Sequence, residues 1–357
     1  MLTTRKMRKL VTMVLTLTLL FTNFYIISAL EIPPPPLPPA VHTYQLLRPL
    51  GLFDEIEGNK IGVVSPQTVR IVQHHCDRWV QINSWLGRKW LDLEFVPPTD
   101  ELTKVLLPFG RNMSVYFLNI ETGYEFRHND ETIHFGASLS KAMLALMFYT
   151  MAEQGKVCLD TTVTFQSQHQ NWGSGIIQRR YPLGTQFTLR RLIKLNLYVS
   201  DNVATLMLRD FLGGGIYGVE RYRKFIESIG GNPRLVREHI MDSYLTANEV
   251  GIFAKAIHDY IESEGRYSEE FRQHLLNNQY PFLTRRVERP PLTASKTGWS
   301  RGVMHDMTIV YTNSPFILVV MAVNRTGTAT GTRQEQEEFA QIYTAFKNFS
   351  NFWFPGE

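Results

Sequence analysis

The chain has 357 residues, more than one domain usually contains, so we expect one large domain with appendages. Its composition, 44% hydrophobic, 12% aromatic and 20% charged, is typical of a folded globular protein and excludes a disordered or multi-span membrane chain. The formal charge of +4 comes from the cations that precede the first acidic residue, which excludes a nucleic-acid-binding surface. The only cysteines, Cys76 and Cys158, cannot form a disulfide scaffold or a zinc site, although one bridge between them is open. The sequence indicates no metal or organic cofactor.

Residues 1–30 carry the pattern of an export segment. Val11–Leu30 is uncharged and mostly apolar, and it is long enough to cross a hydrocarbon core about 30 Å thick. The cations within Arg5–Lys9 hold the short N-terminal tail inside the cell and place the rest of the chain outside. We favour an uncleaved signal anchor, and the alternative is a signal peptide cleaved near Ile27–Ala29. Residues 31–40 follow as a proline-rich linker, which predicts an extended polyproline II spacer.

Residues 41–98 are predicted to form an N-terminal extension that is partly helical. Apolar residues fall near helical spacing between Ser65 and Gly87, which predicts a helix there. The adjacent His74 and His75 would point in different directions on that helix and have no partner at ligand spacing, which favours a structural role over metal binding. The sequence assigns no function to this extension.

The main domain is predicted to span residues 99–357 and to begin with a helix after Thr99. Strands near both of its ends bracket a mainly helical middle. This order predicts an α+β fold, in which an antiparallel sheet is assembled from both ends of the domain and helices pack on it. The other predicted elements are a hairpin of Met113–Asn119 and Tyr124–Arg127, a buried helix at Leu139–Gln154, a second hairpin of Val303–Tyr311 and Phe316–Asn324, and a final helix at Gln334–Asn348.

Three short polar motifs occur once each, in the order Ser138–Lys141 (S-x-x-K), Ser200–Asn202 (S-D-N) and Lys296–Gly298 (K-T-G). Each motif alone is a weak signal, because S-x-x-K arises by chance roughly once in a chain of this length. Their order and their surroundings are what indicate chemistry.

Ser138 lies at the predicted start of the buried helix, and Lys141 lies on the same face one turn later. A serine hydroxyl is a poor nucleophile until a base takes its proton, and a desolvated lysine crowded by another cation can be that base. The backbone N–H of Ser138 could also stabilise an oxyanion at the helix N-terminus. The alternative is a helix N-cap at Ser138 with a solvated Lys141.

The S-D-N motif interrupts two apolar segments. The Ser200 hydroxyl could relay a proton there, and the Asn202 amide could hold Lys141 or a substrate amide. The alternative is a helix N-cap at Ser200 or Asp201.

The K-T-G motif stands at the start of a predicted inner strand. Lys296 and Thr297 could bind a carboxylate, while Gly298 would let a substrate backbone approach the strand closely. The alternative is an ordinary charged residue and turn at the beginning of a strand.

Taken together, the three motifs resemble the signature of class A serine β-lactamases and penicillin-binding D,D-peptidases. The surrounding segments Phe135–Lys141, Glu153–Asp160 and Tyr198–Thr205 are also similar to class A segments, and the resemblance covers about residues 100–350. It implies a β-lactamase/transpeptidase-like fold, with an antiparallel sheet flanked by helices, an all-helical lobe, and the active site in the cleft between them.

The resemblance also implies roles for the catalytic residues. Ser138 would be the acylated nucleophile, Lys141 its base or proton relay, and Ser200 the hydroxyl that passes the proton to the leaving nitrogen. A water-activating glutamate follows the S-D-N motif in class A enzymes, and the nearest candidate here is Glu238, in an E-x-x-M-D segment where the family has E-x-x-L-N. Glu238 is therefore either that base or a surface glutamate beside Arg237.

Substrate-binding roles follow from the same resemblance. Asn202 would hold the substrate side-chain amide, and Lys296 and Thr297 of the K-T-G motif, which Gly298 completes, would bind the substrate carboxylate. The backbone N–H of Trp299 would join that of Ser138 in the oxyanion hole. The family usually has a small residue after the glycine of this motif, so the larger ring of Trp299 could narrow the cleft.

The sequence thus predicts an exported serine hydrolase that acts through an acyl-serine and hydrolyses the β-lactam amide bond. The alternatives are a D-alanyl-D-alanine peptidase, or related cell-wall hydrolase, and a β-lactam-binding sensor without turnover. A positioned water-activating base decides between them, because without one the acyl-enzyme would be long-lived. The expected partners are a β-lactam or D-Ala-D-Ala peptide and the bacterial cell membrane. We expect a monomer with an extracellular catalytic domain, secreted if the anchor is cleaved.

Overall fold

The computed structural model describes residues 43–46, 50–64, 67–75, 78–84, 86–93, 99–236, 244–300, 302–323 and 332–354. The chain divides into two compact units, Met1–Pro97 and Pro98–Glu357. The predicted export segment, the proline-rich linker, Cys76 and Glu238 lie outside the described residues. None of the helices in the described ranges is both long and apolar enough to span a membrane. Cys158 is exposed and carries a free thiol.

The described part of the first unit is a six-stranded antiparallel sheet with the strand order β1-β4-β5-β6-β2-β3. Its apolar side chains form a core of their own, which includes Leu52, Val80 and Leu91. The strands are β1 Thr43–Gln45, β2 Leu50–Phe53, β3 Lys60–Val64, β4 Thr68–His75, β5 Trp79–Ser84 and β6 Gly87–Asp92.

The helix predicted from Ser65 to Gly87 is wrong, because β4 and β5 occupy this stretch and pair with each other. Two features of the sequence favour strands. The stretch is rich in β-branched and aromatic residues, and along β4 the buried Val69 and Ile71 alternate with the exposed Arg70. The apolar positions of two successive strands, read as one stretch, imitate helical spacing. The expectation that residues 41–98 are partly helical is therefore also wrong for the residues that the structure describes.

The second unit holds a five-stranded antiparallel sheet with the order β13-β14-β15-β7-β8, which leaves β13 at an edge. The prediction of an inner strand that starts at the K-T-G motif is therefore wrong: the strand begins at Leu292 and pairs on one side only. The two predicted hairpins are both part of this sheet. The second strand of the second hairpin, Phe316–Val323, lies at its centre. These strands are β7 Met113–Asn119, β8 Glu125–His128, β13 Leu292–Ser300, β14 Val303–Tyr311 and β15 Phe316–Val323. Two short pairs complete the β structure of the described residues: β9 His134–Phe135 with β12 Tyr244–Leu245, and β10 Thr162–Thr164 with β11 Gln186–Thr188.

Both faces of this sheet are buried, and the alternation of side chains along β15 divides them between two cores. Ile317, Val319 and Met321 belong to one core, whereas Leu318 and Val320 belong to the other. The described helices are α1 Asp100–Leu106, α2 Ser140–Glu153, α3 Ile177–Arg180, α4 Leu189–Tyr198, α5 Asn202–Phe211, α6 Gly215–Ser228, α7 Ala247–Glu262, α8 Ser268–Leu276 and α9 Arg333–Trp353.

The helices divide between the two faces of the sheet. The first and last, α1 and α9, pack on each other and share a core with one face, while α7 packs on the other face. Beyond α7, the helices α2, α4, α5 and α6 pack together as a helical lobe. The α+β fold expected from the sequence is confirmed, and the end of α2 that meets β13 is where the three motifs converge.

Candidate active site

Ser138 lies in a short 3-10 turn, Ala137–Leu139, immediately before α2. Ala137 has a φ of 46°, in the left-handed region that costs free energy for a residue with a Cβ atom. The helix that follows is apolar all round and is buried without interruption from Ser140 to Tyr149, so it provides a rigid base for the turn. Ser138 itself is half-buried and lines a cleft, which leaves its hydroxyl accessible to a ligand.

Lys141 is fully buried beneath this turn. Its Nζ atom lies 2.6 Å from the Ser200 carbonyl oxygen, 3.2 Å from Ser200 Oγ and 2.6 Å from Asn202 Oδ1. Burial lowers the pKa of the Lys141 ammonium well below its ordinary value; the nearby charge of Lys296 lowers it further, and Asp201 partly opposes both. A lysine in this environment can be neutral, as a general base requires.

Ser200 stands in the sharp connection between α4 and α5, with a φ of 54°. The next residue, Asp201, is buried and caps α5 by accepting a hydrogen bond from the Ala204 N–H at 3.0 Å. Its other carboxylate oxygen accepts from Ile176 N at 2.6 Å and from Ile177 N at 2.9 Å. The N-cap interpretation of the S-D-N motif is thus correct for Asp201, and the cap fixes the residues on either side of it.

The Asn202 side chain is held from both ends. Its Oδ1 atom accepts from Lys141 Nζ, and its Nδ2 atom donates to Asn171 Oδ1 at 3.0 Å. A Cβ atom at Gly173 would lie 2.7 Å from Asn202 Nδ2, so a larger residue there would displace the Asn202 amide. Asn171 was not predicted as a site residue, because it lies in a loop with no motif of its own.

Lys296 is also fully buried, at the middle of β13. Its Nζ atom donates to Thr297 O at 2.7 Å and to Ser200 Oγ at 3.2 Å. Burial lowers the pKa of Lys296 to about 7, and the carboxylate of Asp306 opposes this shift. Ser200 Oγ therefore joins the two buried lysines, which gives a continuous path for a proton from Lys141 through the hydroxyl to Lys296.

Asp306 on β14 is a second residue that the sequence analysis missed. Its Oδ2 atom accepts from Phe282 N at 2.7 Å and from Leu283 N at 2.9 Å, and Thr308 Oγ1 donates to its Oδ1 at 3.2 Å. Burial raises the pKa of Asp306 to about 7, an effect that these hydrogen bonds and Lys296 oppose. The available signal was a lone acidic residue within a strongly apolar strand.

Close contact between β13 and the Ala137–Leu139 turn brings the motifs together. A Cβ atom on Gly298 would lie 2.8 Å from the carbonyl oxygen of Gly136, so this strand position is restricted to glycine. His305 faces Gly298 on β14; its Nε2 atom donates to Phe135 O at 2.9 Å, and its Nδ1 accepts from Ala322 N at 3.2 Å. Burial lowers the pKa of His305 to about 3, so the ring is neutral and ties the sheet to the chain just before Ser138.

These elements enclose an open cleft of about 720 Å³. Its described lining includes five of the predicted site residues, while Lys141 and Lys296 are buried beneath it. Among the described residues, no cluster of His, Cys, Asp or Glu side chains could hold a metal ion. The predicted residues that line the cleft are Ser138, Ser200, Asn202, Thr297 and Trp299, and lining residues that the sequence analysis missed include Asn171, Arg179 and Tyr280.

Trp299 is half-buried. It lines the cleft and also packs against the core that α1 and α9 share with one face of the sheet. The ring is therefore partly accommodated by the protein interior. The cleft stays open beside Ser138 although a tryptophan follows the glycine.

Comparison with known proteins identifies the family. A model of a family described as the beta-lactamase enzyme family matches residues 97–344. The chain belongs to this family. The resemblance of the three motifs to serine β-lactamases is thereby confirmed, and the protein is a serine hydrolase of the β-lactamase type. The assignment to class A stays a prediction. No curated protein sequence matches the chain.

Solved structures with the β-lactamase fold are similar to the second unit. A β-lactamase from Sphaerobacter thermophilus DSM 20745 is 21% identical over 71% of this chain and 98% of its own, with a TM-score of 0.60. The protein PBP-A is 19% identical over the same shares, with a TM-score of 0.61. A variant of PBP-A, solved as an acyl-enzyme complex with penicillin G, has a TM-score of 0.59 at 19% identity over 71% of this chain and 98% of its own.

The structure thus brings together eight of the nine predicted site residues. They place Ser138 on a turn before a buried helix, together with a buried lysine whose pKa is lowered and a hydroxyl that contacts two lysines. Glu238 lies outside the described residues, so its role stays a prediction. The eight residues are Ser138, Lys141, Ser200, Asn202, Lys296, Thr297, Gly298 and Trp299.

Proposed function

We propose that this β-lactamase-family hydrolase opens the amide bond of β-lactams through an acyl intermediate on Ser138, as class A enzymes do. The observation that carries the proposal is the hydrogen-bonded path from Lys141 through Ser200 to Lys296, which runs beneath an open cleft lined by Ser138. In the proposed mechanism, Lys141 at one end of this path is the base for the nucleophile, and Ser200 passes the proton to the leaving nitrogen.

In the proposed acylation step, Ser138 Oγ attacks the carbonyl carbon of the β-lactam while its proton passes to neutral Lys141 Nζ. The oxyanion that forms accepts hydrogen bonds from the backbone N–H groups of Ser138 and Trp299. The carbon–nitrogen bond of the ring then breaks. The nitrogen takes the Ser200 hydroxyl proton, and Lys141 returns a proton to Ser200.

Substrate binding follows from charge and hydrogen-bonding capacity. The cation of Lys296 and the hydroxyl of Thr297 bind the substrate carboxylate beside Ser200. The Asn202 amide, held in place by Asn171, offers its Nδ2 atom to the carbonyl oxygen of the substrate side-chain amide.

In the deacylation step, a base removes a proton from water, the resulting hydroxide attacks the ester carbon, and Ser138 Oγ leaves with a proton. We propose Glu238 for this base, on the strength of its place after the S-D-N motif. With an effective base the protein turns over β-lactams; without one it would retain the acyl group that a β-lactam leaves on Ser138, as expected of a peptidase or a sensor.

Replacement of this glutamate tests the proposal. In Glu238→Gln the amide cannot take a proton from water, so we expect the acyl-enzyme with benzylpenicillin to accumulate and its hydrolysis to slow at least a hundredfold, as is typical of a lost general base. Intact-mass spectrometry after removal of excess drug measures the decay of the adduct. Glu227→Gln, at an exposed position on α6, is the control and should decay like the parent.

Unchanged decay in Glu238→Gln would remove the glutamate from the mechanism. A parent adduct that persists for hours would favour the alternative activities. Release of D-alanine from a D-Ala-D-Ala peptide would then identify a peptidase, and its absence a sensor.

We also propose that the enzyme works outside the cell, tethered by Val11–Leu30 and held off the membrane by the proline-rich linker. Support comes from the length and apolarity of that segment and from the cations before it. Protease treatment of intact cells, followed by detection of the catalytic unit, tests the proposal: the unit should be cleaved without lysis, and protection would contradict it.

A further inference from the structure

Arg179, at the C-terminal end of α3, is a cation that the acylation mechanism does not use. Its side chain is exposed and lines the same cleft as Ser138. The guanidinium Nη2 atom donates to the carbonyl oxygen of Gly175, and no described carboxylate forms an ion pair with Arg179. The remaining N–H groups of the fork are therefore available to a ligand.

The segment that leads to Arg179 is fixed on the motif residues. Asn171 accepts a hydrogen bond from Asn202, and the Asp201 carboxylate holds the backbone N–H groups at the start of α3. A Cβ atom on Gly175 would lie 2.3 Å from the Asp201 carboxylate, so these two residues are in direct contact. Arg179 is thus anchored on the wall that carries the S-D-N motif, whereas Lys296 and Thr297 belong to β13.

The described lining of the cleft contains no aspartate or glutamate. The buried carboxylate of Asp201 already accepts three backbone hydrogen bonds, and Lys141 and Lys296 lie beneath the cleft. The described lining therefore carries the cation of Arg179 and no acidic side chain, and a substrate with one carboxylate at Lys296 would leave Arg179 without a counter-ion.

We infer that Arg179 determines specificity by binding a second carboxylate, carried on the acyl side of the substrate. The inference rests on the proposed function, in which Lys296 and Thr297 hold the first carboxylate. The favoured substrate is then a dianionic acyl donor: a β-lactam with a carboxylated side chain, or a peptide with a side-chain carboxylate before its scissile bond. A guanidinium fork suits this role because it can pair with a carboxylate through two parallel hydrogen bonds.

Two penicillins that differ by one carboxylate test the inference. Carbenicillin is benzylpenicillin with an additional carboxylate on the side chain. The second-order acylation rate constant for carbenicillin, divided by that for benzylpenicillin, therefore isolates the contribution of that group. In Arg179→Gln we expect this ratio to fall about tenfold, the effect of losing one charge-assisted interaction. The matched control is Arg180→Gln, because Arg180 is an exposed neighbour on α3 that does not line the cleft.

The ratio in Arg180→Gln should equal that of the parent protein. An unchanged ratio in Arg179→Gln, or an equal fall in both variants, would overturn the inference. Failure of both penicillins to acylate the parent would instead contradict the proposed function. Calorimetric titration of the same two compounds would then report the same ratio as dissociation constants, and an unchanged ratio in Arg179→Gln would again overturn the inference.

Discussion

At the scale of single residues, the site depends on two lysines that burial drives toward their neutral forms. They cannot both be fully charged at low cost, because each is desolvated and Ser200 Oγ lies 3.2 Å from both ammonium nitrogens. Asp306 favours the charged form of Lys296, and Lys296 in turn disfavours the charged form of Lys141. In the proposed mechanism, this difference separates one cation for binding, Lys296, from one base for catalysis, Lys141.

This division predicts a bell-shaped pH profile for acylation. As the pH falls, Lys141 gains a proton and ceases to be a base; as it rises through about 7, Lys296 loses its proton and carboxylate binding weakens. In Lys296→Arg the guanidinium stays charged, so the alkaline decline should move to higher pH, whatever the absolute rate. Second-order acylation rates from pH 5 to 10 measure this. Lys255→Arg, at an exposed position on α7, is the control and should keep the parent profile. If acylation declined at the same alkaline pH in the parent, in Lys296→Arg and in Lys255→Arg, the account would be contradicted.

At the scale of elements, the site depends on how closely β13 approaches the turn before α2. The helix was predictable because it is apolar over a long stretch. A strand was predictable at the K-T-G motif, although β13 begins before the motif and lies at the edge of the sheet rather than inside it. Their proximity was implied only by the family resemblance, and the contacts that create it were not predictable, because they join segments remote in sequence through backbone atoms and through the His305 side chain. The helix predicted at Ser65–Gly87 failed for a related reason: strand pairing in the first unit overrides a local spacing that suits a helix.

A glycine substitution tests the close approach. In Gly298→Ala the new Cβ atom would lie 2.8 Å from Gly136 O and 3.1 Å from Leu139 Cγ, so the turn before α2 must move. We expect acylation to fall at least tenfold and the free energy of unfolding to fall by about 1–3 kcal/mol, as for other overpacked sites. Gly302→Ala is the matched control, because a Cβ atom there meets nothing within 4 Å. Acylation of Gly298→Ala at the parent rate would show that the turn tolerates displacement.

At the scale of the whole molecule, every predicted site residue that the structure describes lies in the unit Pro98–Glu357, which coincides closely with the family match. The fold class and eight site residues could be predicted because the motifs combine a required chemistry with a fixed order. Three other residues of the site could not be predicted, because they belong to no sequence motif and only the packing of the helical lobe and the sheet brings them to the site. They are Asn171, Asp306 and Arg179. The first unit has its own sheet and core, and no chemistry in its sequence indicated a role for it.

The central claim is that Ser138 is acylated with Lys141 as its base, and intact-mass spectrometry with benzylpenicillin tests it most directly. The purified protein should gain the mass of one penicillin within minutes and lose it as ring-opened product accumulates. Ser138→Ala should gain no mass, and Lys141→Ala should gain none on the same timescale while its circular dichroism stays that of the parent. An adduct on Ser138→Ala, or normal acylation of Lys141→Ala, would contradict the account.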